Sequence, residues 1–237
     1  MEPTTLLQVN DIVAAYGQST ILWGVNLEVQ PGTVTTVMGR NGVGKTTLLK
    51  TIMGLLKARQ GQVLLKGRPI TSQAPYKIAR AGIGYVPQGR EIIPKLTVQE
   101  NLLLGLEATP DHKPRMTEEE IYTLFPILKE FRRRAGGNLS GGQQQQLAIA
   151  RTLISGPALL LLDEPTEGLQ PSIAIEIGDI LRRLVTTKGM AVLLVEQKID
   201  FARHVTDYFY FMERGRMIKE GSAATFDFQE LQEHIAV

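Results

Sequence analysis

The chain has 237 residues, with 26 basic and 24 acidic side chains and no cysteine. This length is sufficient for one α/β domain with a well-buried core. Because the charges are nearly balanced and dispersed, we expect no nucleic-acid partner, and the lack of cysteine excludes disulfides and thiolate metal sites. No apolar stretch approaches the ~18 residues that a membrane helix needs, and the first residues lack the pattern of a signal peptide.

The N-terminal part of the sequence predicts strands followed by a phosphate-binding loop. Residues 6–29 alternate between apolar and polar side chains, which is typical of strands. Residues 33–38 predict a further strand, and residues 46–53 predict a helix. Between them, residues 39–46 read G-R-N-G-V-G-K-T and match the P-loop pattern G-x-x-x-x-G-K-[ST] at every fixed position.

A P-loop in this setting has a defined chemistry. Its glycines let backbone N–H groups converge on phosphates, and the helix N-terminus adds a partial positive charge at the same place. We expect Lys45 to reach the β and γ phosphates of ATP and the Thr46 hydroxyl to ligate Mg²⁺. The alternative is a glycine-rich turn that binds nothing, which the context of strand, loop and helix disfavours.

The middle of the sequence predicts two strands and then a helical region. The strands are expected over residues 62–66 and 83–86, and Gln88 follows the second of them. From about residue 92 to about residue 155 the pattern turns helical, with capping boxes at residues 97–100 and 117–120.

A second candidate phosphate-binding motif lies in this helical region, where residues 139–143 read L-S-G-G-Q. Ser140 and Gln143 can form a capping box, and apolar residues follow at helical spacing. Capping does not explain Gly141 and Gly142, since glycine in a helix costs about 1 kcal/mol relative to alanine. Two glycines in the first turn favour a ligand that approaches the backbone closely, and a phosphate at a helix N-terminus fits.

The C-terminal part predicts the return of the core. Residues 158–162 form a continuous apolar run that ends in Asp163 and Glu164, as expected for a strand buried on both faces. The alternative for this acidic pair is a solvated strand end. Residues 190–195 predict another strand, residues 207–220 a hairpin and residues 226–235 a closing helix.

The motif at residues 139–143, following a P-loop, resembles the signature sequence of ABC-type ATPases. The resemblance covers nearly the whole chain. It implies an α/β fold: a P-loop NTPase (RecA-like) core with an antiparallel β-subdomain and an inserted helical subdomain. A single ABC ATPase domain would then span residues 1–237, with the core and β-subdomain at about 1–91 and 156–237 and the helical subdomain at about 92–155.

The resemblance also implies roles for individual residues. Tyr16 would stack on adenine, although an ordinary strand aromatic is the alternative, and Gln88 would contact Mg²⁺ and communicate with the membrane partner. The implied catalytic residues are Glu164, which would polarise the attacking water, Lys45 and Gln197. The implied metal-binding residues are Thr46, Gln88 and Asp163, the last through water. The implied nucleotide-binding residues are Tyr16, Gly39, Arg40, Asn41, Gly42, Val43, Gly44, Lys45, Thr46 and Thr47. The residues implied to face the opposite subunit's ATP are Leu139, Ser140, Gly141, Gly142 and Gln143.

Two positions depart from the family pattern. Gln197 stands where many ABC ATPases have a histidine that contacts the γ-phosphate, and Gln170 stands where an aspartate is common. Glutamine can donate a hydrogen bond to phosphate, but it cannot carry a charge as histidine can. We therefore expect a heterodimer with a paralogous ATPase subunit that keeps the histidine, with a homodimer as the alternative.

Residues 85–98 and 164–173 resemble ATPase subunits of branched-chain amino acid and urea importers, and look closest to the urea branch. The same role for branched-chain amino acids or short-chain amides is the alternative. The resemblance implies membrane permease subunits as partners, a solute-binding protein as an indirect partner, and a peripheral location on the cytoplasmic face of the cell membrane. We expect residues 88–98 to receive a helix of the permease.

Two other classes of protein compete with a transporter subunit. A soluble ABC ATPase of the repair type would have a long coiled-coil insertion, yet only 51 positions separate Gln88 from Leu139. A soluble ABC ATPase of the translation type would usually carry two ATPase halves. A small-molecule P-loop kinase would have no use for the motif at residues 139–143.

Overall fold

The computed structural model describes residues 5–225, which form two sheets and eight α-helices. The strands are β1 Leu7–Tyr16, β2 Ser19–Val29, β3 Val34–Met38, β4 Ala58–Leu65, β5 Arg68–Pro69, β6 Ile83–Val86, β7 Leu159–Asp163, β8 Ala191–Glu196, β9 Tyr208–Glu213 and β10 Arg216–Ser222. The helices are α1 Lys45–Ile52, α2 Pro75–Arg80, α3 Val98–Leu104, α4 Glu118–Leu124, α5 Pro126–Glu130, α6 Gly141–Leu153, α7 Pro171–Lys188 and α8 Ile199–Val205.

The larger sheet is mostly parallel and carries the P-loop. Its strand order is β10-β9-β3-β8-β7-β6, and only the β9–β10 pair is antiparallel. Every residue of β3, β7 and β8 is buried, as expected for parallel strands covered on both faces. Because the strands are parallel, the carboxyl ends of β3, β6, β7 and β8 lie at one edge, where ligands bind in open α/β sheets.

The smaller sheet is antiparallel, with the order β2-β1-β4-β5. It packs against α1 and the larger sheet around a shared apolar core that includes Leu22, Leu48 and Val195. The prediction of an α/β fold with an antiparallel sheet is confirmed. Strand β4 begins at Ala58, four residues earlier than the sequence predicted, because pairing with β1 continues through the polar residues before Gln62.

A group of helices, α3 to α6, lies between β6 and β7 in the sequence. It packs around a second apolar core to which Phe125, Leu128 and Leu147 contribute. Thr97 and Thr117 cap α3 and α4 with complete capping boxes, as the sequence predicted. The prediction that this region is mainly helical is therefore confirmed.

The C-terminal elements also follow the sequence. Pro171 occupies the first turn of α7, and the hairpin of β9 and β10 turns at Arg214 and Gly215. The helix predicted over residues 226–235 lies outside the described residues. Within residues 5–225, none of the helices has the length and apolar character that crossing a membrane would require.

Candidate nucleotide-binding site

The P-loop joins β3 to α1 and has the backbone shape that its glycines allow. Gly44 precedes the first residue of α1 with a φ of 116°, in the left-handed region that favours glycine. Gly39 has a φ of 157°, and a Cβ there would lie 2.5 Å from the Met212 carbonyl oxygen. A side chain at Gly39 would therefore push the loop away from β9.

Lys45 is buried and is held in place by three oxygen atoms. Its Nζ donates to the carbonyl oxygens of Gly39 at 2.8 Å and Arg40 at 3.0 Å. Its Nζ also lies 3.1 Å from Glu164 Oε1. The ammonium group thus ties the P-loop to the end of β7, at the edge of the sheet where the loop opens.

Asp163 lies at the end of β7, and both of its carboxylate oxygens accept hydrogen bonds. Thr46 Oγ1 donates to Oδ1 at 2.9 Å, and the Tyr85 hydroxyl donates to Oδ2 at 3.2 Å. Burial raises the pKa of Asp163, whereas these two hydrogen bonds favour its charged form. Burial and the nearby Asp163 carboxylate raise the pKa of the Tyr85 hydroxyl, which therefore stays protonated as a donor.

Glu164 is set at an unusual backbone geometry. Its φ is 47°, in the left-handed region that a non-glycine residue rarely adopts. Its N–H donates to the Val195 carbonyl at 3.0 Å, and its carboxylate faces Lys45. Strain of this kind is more frequent at functional sites, and here it turns the carboxylate toward the P-loop instead of continuing the strand.

A cavity of about 410 Å³ opens over these residues. Tyr16 and Gln88 line it, as does Glu164, so residues from β1, the loop after β6 and the end of β7 meet the P-loop there. The other residues that line it are Ile21, Asn41, Gly42, Gly44, Lys45, Thr46 and Thr47. Gln88 Nε2 donates to Glu167 Oε2 at 2.9 Å, which sets the orientation of that amide at the cavity wall.

The motif at residues 139–143 is not among the residues that line this cavity. Ser140 caps α6, with its Oγ accepting from the Gln143 N–H and the Gln143 side chain accepting from the Ser140 N–H. A Cβ at Gly141 would lie 2.8 Å from Arg90 Nη1, and one at Gly142 would lie 3.1 Å from Ile173. Arg90 and Ile173 thus pack closely on these glycines within the chain.

Gln197 follows β8 and also lies outside the cavity lining. Its N–H donates to Glu196 Oε1 at 2.9 Å, and the Lys198 N–H donates to the same oxygen at 3.1 Å. The buried Thr166 hydroxyl donates to Glu196 Oε2 at 2.9 Å. Burial raises the pKa of Glu196.

Glu196 and Tyr85 are the site residues that sequence reasoning missed. Glu196 joins the loop of Gln197 to the segment after Glu164 through Thr166, and Tyr85 orients Asp163. A signal for Glu196 was present, because a carboxylate at the end of an apolar strand needs partners when it is buried. Tyr85 had no comparable signal, since a tyrosine in a strand is common.

Comparison with known proteins assigns the fold and the site together. The protein-family profile described as ABC transporter matches residues 22–167, which include the P-loop, the motif at residues 139–143 and the Asp163–Glu164 pair. The chain belongs to the ABC transporter family. It binds ATP and hydrolyses it in a reaction coupled to transport, which excludes a small-molecule kinase.

Individual relatives cover almost the whole chain. The high-affinity branched-chain amino acid transport ATP-binding protein BraG of Pseudomonas aeruginosa is 38% identical over 219 residues, 92% of this chain and 94% of that protein. The probable branched-chain amino acid transport ATP-binding protein LivF of Archaeoglobus fulgidus is 36% identical over 229 residues, 97% of this chain and 95% of that protein. This ABC ATPase is therefore close to the ATP-binding subunits of branched-chain amino acid transporters.

One similar solved structure has nucleotide bound. The dimeric structure of an ATP-binding cassette in a post-hydrolysis state, bound to ADP and phosphate, superposes with a TM-score of 0.82. The two proteins are 28% identical, and the match covers 93% of this chain and 100% of that one. The likeness extends the ABC fold assignment to 93% of the chain.

Proposed function

We propose that this chain is the ATPase subunit of an importer for branched-chain amino acids or chemically related small polar solutes, attached to the cytoplasmic face of its permease. The observation that carries the proposal is the close likeness to BraG and LivF over more than nine-tenths of the chain. The exposed cavity at the P-loop, with Lys45 and Glu164 facing each other, supplies the ATPase part of this function.

Urea is the second candidate solute. It is supported by the resemblance of residues 85–98 to the urea branch, including Gln88 where amino acid transporters often have glutamate. These residues lie on the ATPase and do not touch the solute, and the relatives compared above are named for branched-chain amino acids. Amino acids therefore take precedence over urea, which reverses the order expected from the sequence.

The residues around the P-loop cavity support ATP hydrolysis by positioning the reacting groups and by stabilising charge. Lys45 is placed to bind the β and γ phosphates, and ATP would replace its contact with Glu164. That exchange frees the Glu164 carboxylate to accept a proton from the attacking water. The hydroxyl of Thr46 and the carboxylate of Asp163, which already share a hydrogen bond of 2.9 Å, are hard oxygen donors that suit Mg²⁺. When bound, Mg²⁺ would neutralise charge that develops on the phosphate oxygens.

A second chain would complete the site. The N-terminus of α6 carries Ser140, Gly141 and Gly142 away from the chain's own P-loop cavity, so a phosphate that contacts them would belong to another subunit. The dimeric cassette with bound ADP supports this arrangement. We infer that the second chain is a paralogue with histidine at the position of Gln197, because glutamine lacks the charge that histidine can bring to a phosphate.

A groove of about 490 Å³ suits the permease. It lies between the α1–α2 region and the end of α3, and its exposed apolar residues are Leu55, Tyr76 and Leu104. Residues 88–98, where the sequence led us to expect docking, do not line the groove, but Arg151 does, and its Nη2 donates to the Arg90 carbonyl at 3.5 Å. Tyr85 lines the groove and also donates to Asp163. Only the Tyr85 side chain would therefore separate a helix bound in the groove from Asp163.

Uptake of labelled leucine tests the proposal. In cells that lack the native subunit, the wild-type chain should restore leucine uptake, and Leu104→Asp should abolish it because a charge would occupy the apolar groove. Leu103→Asp is the matched control, since Leu103 is 43% exposed and Leu104 41%, but only Leu104 lines the groove. Uptake of urea without leucine would reject the proposed solute, and full uptake by Leu104→Asp would reject the docking groove.

Gln197→His tests whether the residue at this position makes the two ATP sites differ in their rate of hydrolysis. If the missing histidine limits turnover, this substitution should raise phosphate release by self-assembled chains about tenfold, the order of one added charge-assisted contact to the transferring phosphate. ATP affinity should change little, because the contact is made to the γ-phosphate during turnover. Unchanged phosphate release would show that this position does not set the inequality.

A further inference from the structure

The turn of the β9–β10 hairpin touches both the P-loop and β2. The Gly215 N–H donates to the carbonyl of Val43 at 2.8 Å, and the Gly215 carbonyl accepts from the Trp23 N–H at 2.9 Å. One residue of a distant hairpin thus connects the phosphate-binding loop to the sheet that carries Tyr16. Neither contact involves a side chain, so a sequence motif would not reveal them.

The contact at Val43 fixes the direction of a neighbouring donor. In a trans peptide the C=O and the following N–H point in opposite directions. Because Gly215 holds the Val43 carbonyl on the hairpin side, the N–H of Gly44 is turned to the other side. Gly44 lines the nucleotide cavity, whereas Val43 and Gly215 do not, so this N–H faces the region where the phosphates bind.

Position 215 tolerates only glycine. Its φ is 74°, and a Cβ there would overlap the carbonyl oxygen of Ile21 on β2. The same hairpin supports the start of the P-loop, where a Cβ at Gly39 would lie 2.5 Å from the Met212 carbonyl. The β9–β10 hairpin therefore packs against both ends of the P-loop.

We propose that Gly215 is a positioning residue for ATP binding, which acts by holding the Val43–Gly44 peptide so that the Gly44 N–H points at the phosphates. The role is separate from that of Lys45, which attracts the phosphates by charge. It predicts that disturbing the hairpin turn weakens the binding of phosphate groups, although Gly215 itself does not line the cavity.

The structure offers a matched control for Gly215→Ala. The β4–β5 hairpin turns at Lys66 and Gly67, with φ of 51° and 72°, and the β9–β10 hairpin turns at Arg214 and Gly215, with φ of 45° and 74°. A Cβ at Gly67 would meet nothing within 4 Å. Gly67→Ala therefore carries similar backbone strain without the contact to the P-loop and without the overlap with Ile21.

The test is ATP affinity by fluorescence titration, together with the rise in the melting temperature that ATP causes. Gly215→Ala should raise the Kd for ATP about tenfold relative to Gly67→Ala, the effect of losing one well-aligned hydrogen bond, and should reduce the ATP-dependent rise in melting temperature. A purely structural role would lower the melting temperature of the nucleotide-free protein and leave the ATP-dependent rise intact. ATP affinity within twofold of the control would overturn the proposal.

A second variant tests the proposal even if Gly215→Ala does not fold. Replacing Gly215 with glycolic acid exchanges its N–H for an ester oxygen, so the donor to Val43 is lost without adding a Cβ that would overlap Ile21. The Kd for ATP should again rise about tenfold. Wild-type affinity in this ester variant would overturn the proposal, because the hydrogen bond would then have no part in positioning the P-loop.

Discussion

Glu164→Gln should lower phosphate release at least about 100-fold while leaving ATP binding intact. The size of the effect is that of removing a general base. The substitution keeps the shape of the side chain but cannot accept a proton from water. It also removes the negative charge that lies 3.1 Å from Lys45 Nζ, so ATP no longer has to displace an ion pair. Affinity for ATP should therefore be equal to that of the wild type or higher.

The measurement for this prediction is steady-state phosphate release, with ATP affinity determined on the same protein. Glu130→Gln is a suitable control, because Glu130 is exposed at the end of α5 and outside the cavity. A Glu164→Gln protein that retains more than one-tenth of wild-type turnover would show that another group accepts the proton.

Lys45→Ala should weaken ATP binding at least about a hundredfold. The ammonium group is the buried cation at the centre of the P-loop, and charge-assisted hydrogen bonds to phosphate contribute about 3 kcal/mol, or roughly a hundredfold in Kd. The substitution also releases the carbonyls of Gly39 and Arg40, to which Nζ donates. Loss of these contacts should loosen the loop and add to the loss of affinity.

Equilibrium titration with a fluorescent ATP analogue measures this effect. Lys57→Ala provides the control, because Lys57 is an exposed lysine shortly after α1. If Lys45→Ala bound the analogue within threefold of the control, the proposed contact between Lys45 and the phosphates would be wrong.

Local chemistry explains which parts of the fold could be predicted from the sequence. The buried strands β3, β7 and β8 are continuous apolar runs, and capping boxes identify the starts of three helices. The end of β4 was predicted, but its beginning was not, since the residues from Ala58 to Gly61 pair with β1 without an apolar pattern of their own. Pairing partners distant in sequence determine such segments.

The residues of the candidate site could likewise be predicted only in part from the sequence. The P-loop and the Asp163–Glu164 pair could be identified because their chemistry requires particular residue types at fixed spacing. The contacts of Tyr85 with Asp163 and of Gly215 with Val43 join residues that are 78 and 172 positions apart. No short motif records contacts of this kind, because they arise only when the strands of the large sheet come together.

The most direct test of the proposed composite site is phosphate release per chain, measured over a wide range of protein concentrations with Glu164→Gln as the baseline. We expect activity per chain to rise with concentration, either with this chain alone or on addition of a histidine-bearing paralogue. The reason is that the P-loop of one chain needs the residues around Ser140 of another. Activity per chain that stays constant on dilution, at a level that Glu164→Gln abolishes, would contradict the account, because a single chain would then hold a complete catalytic site.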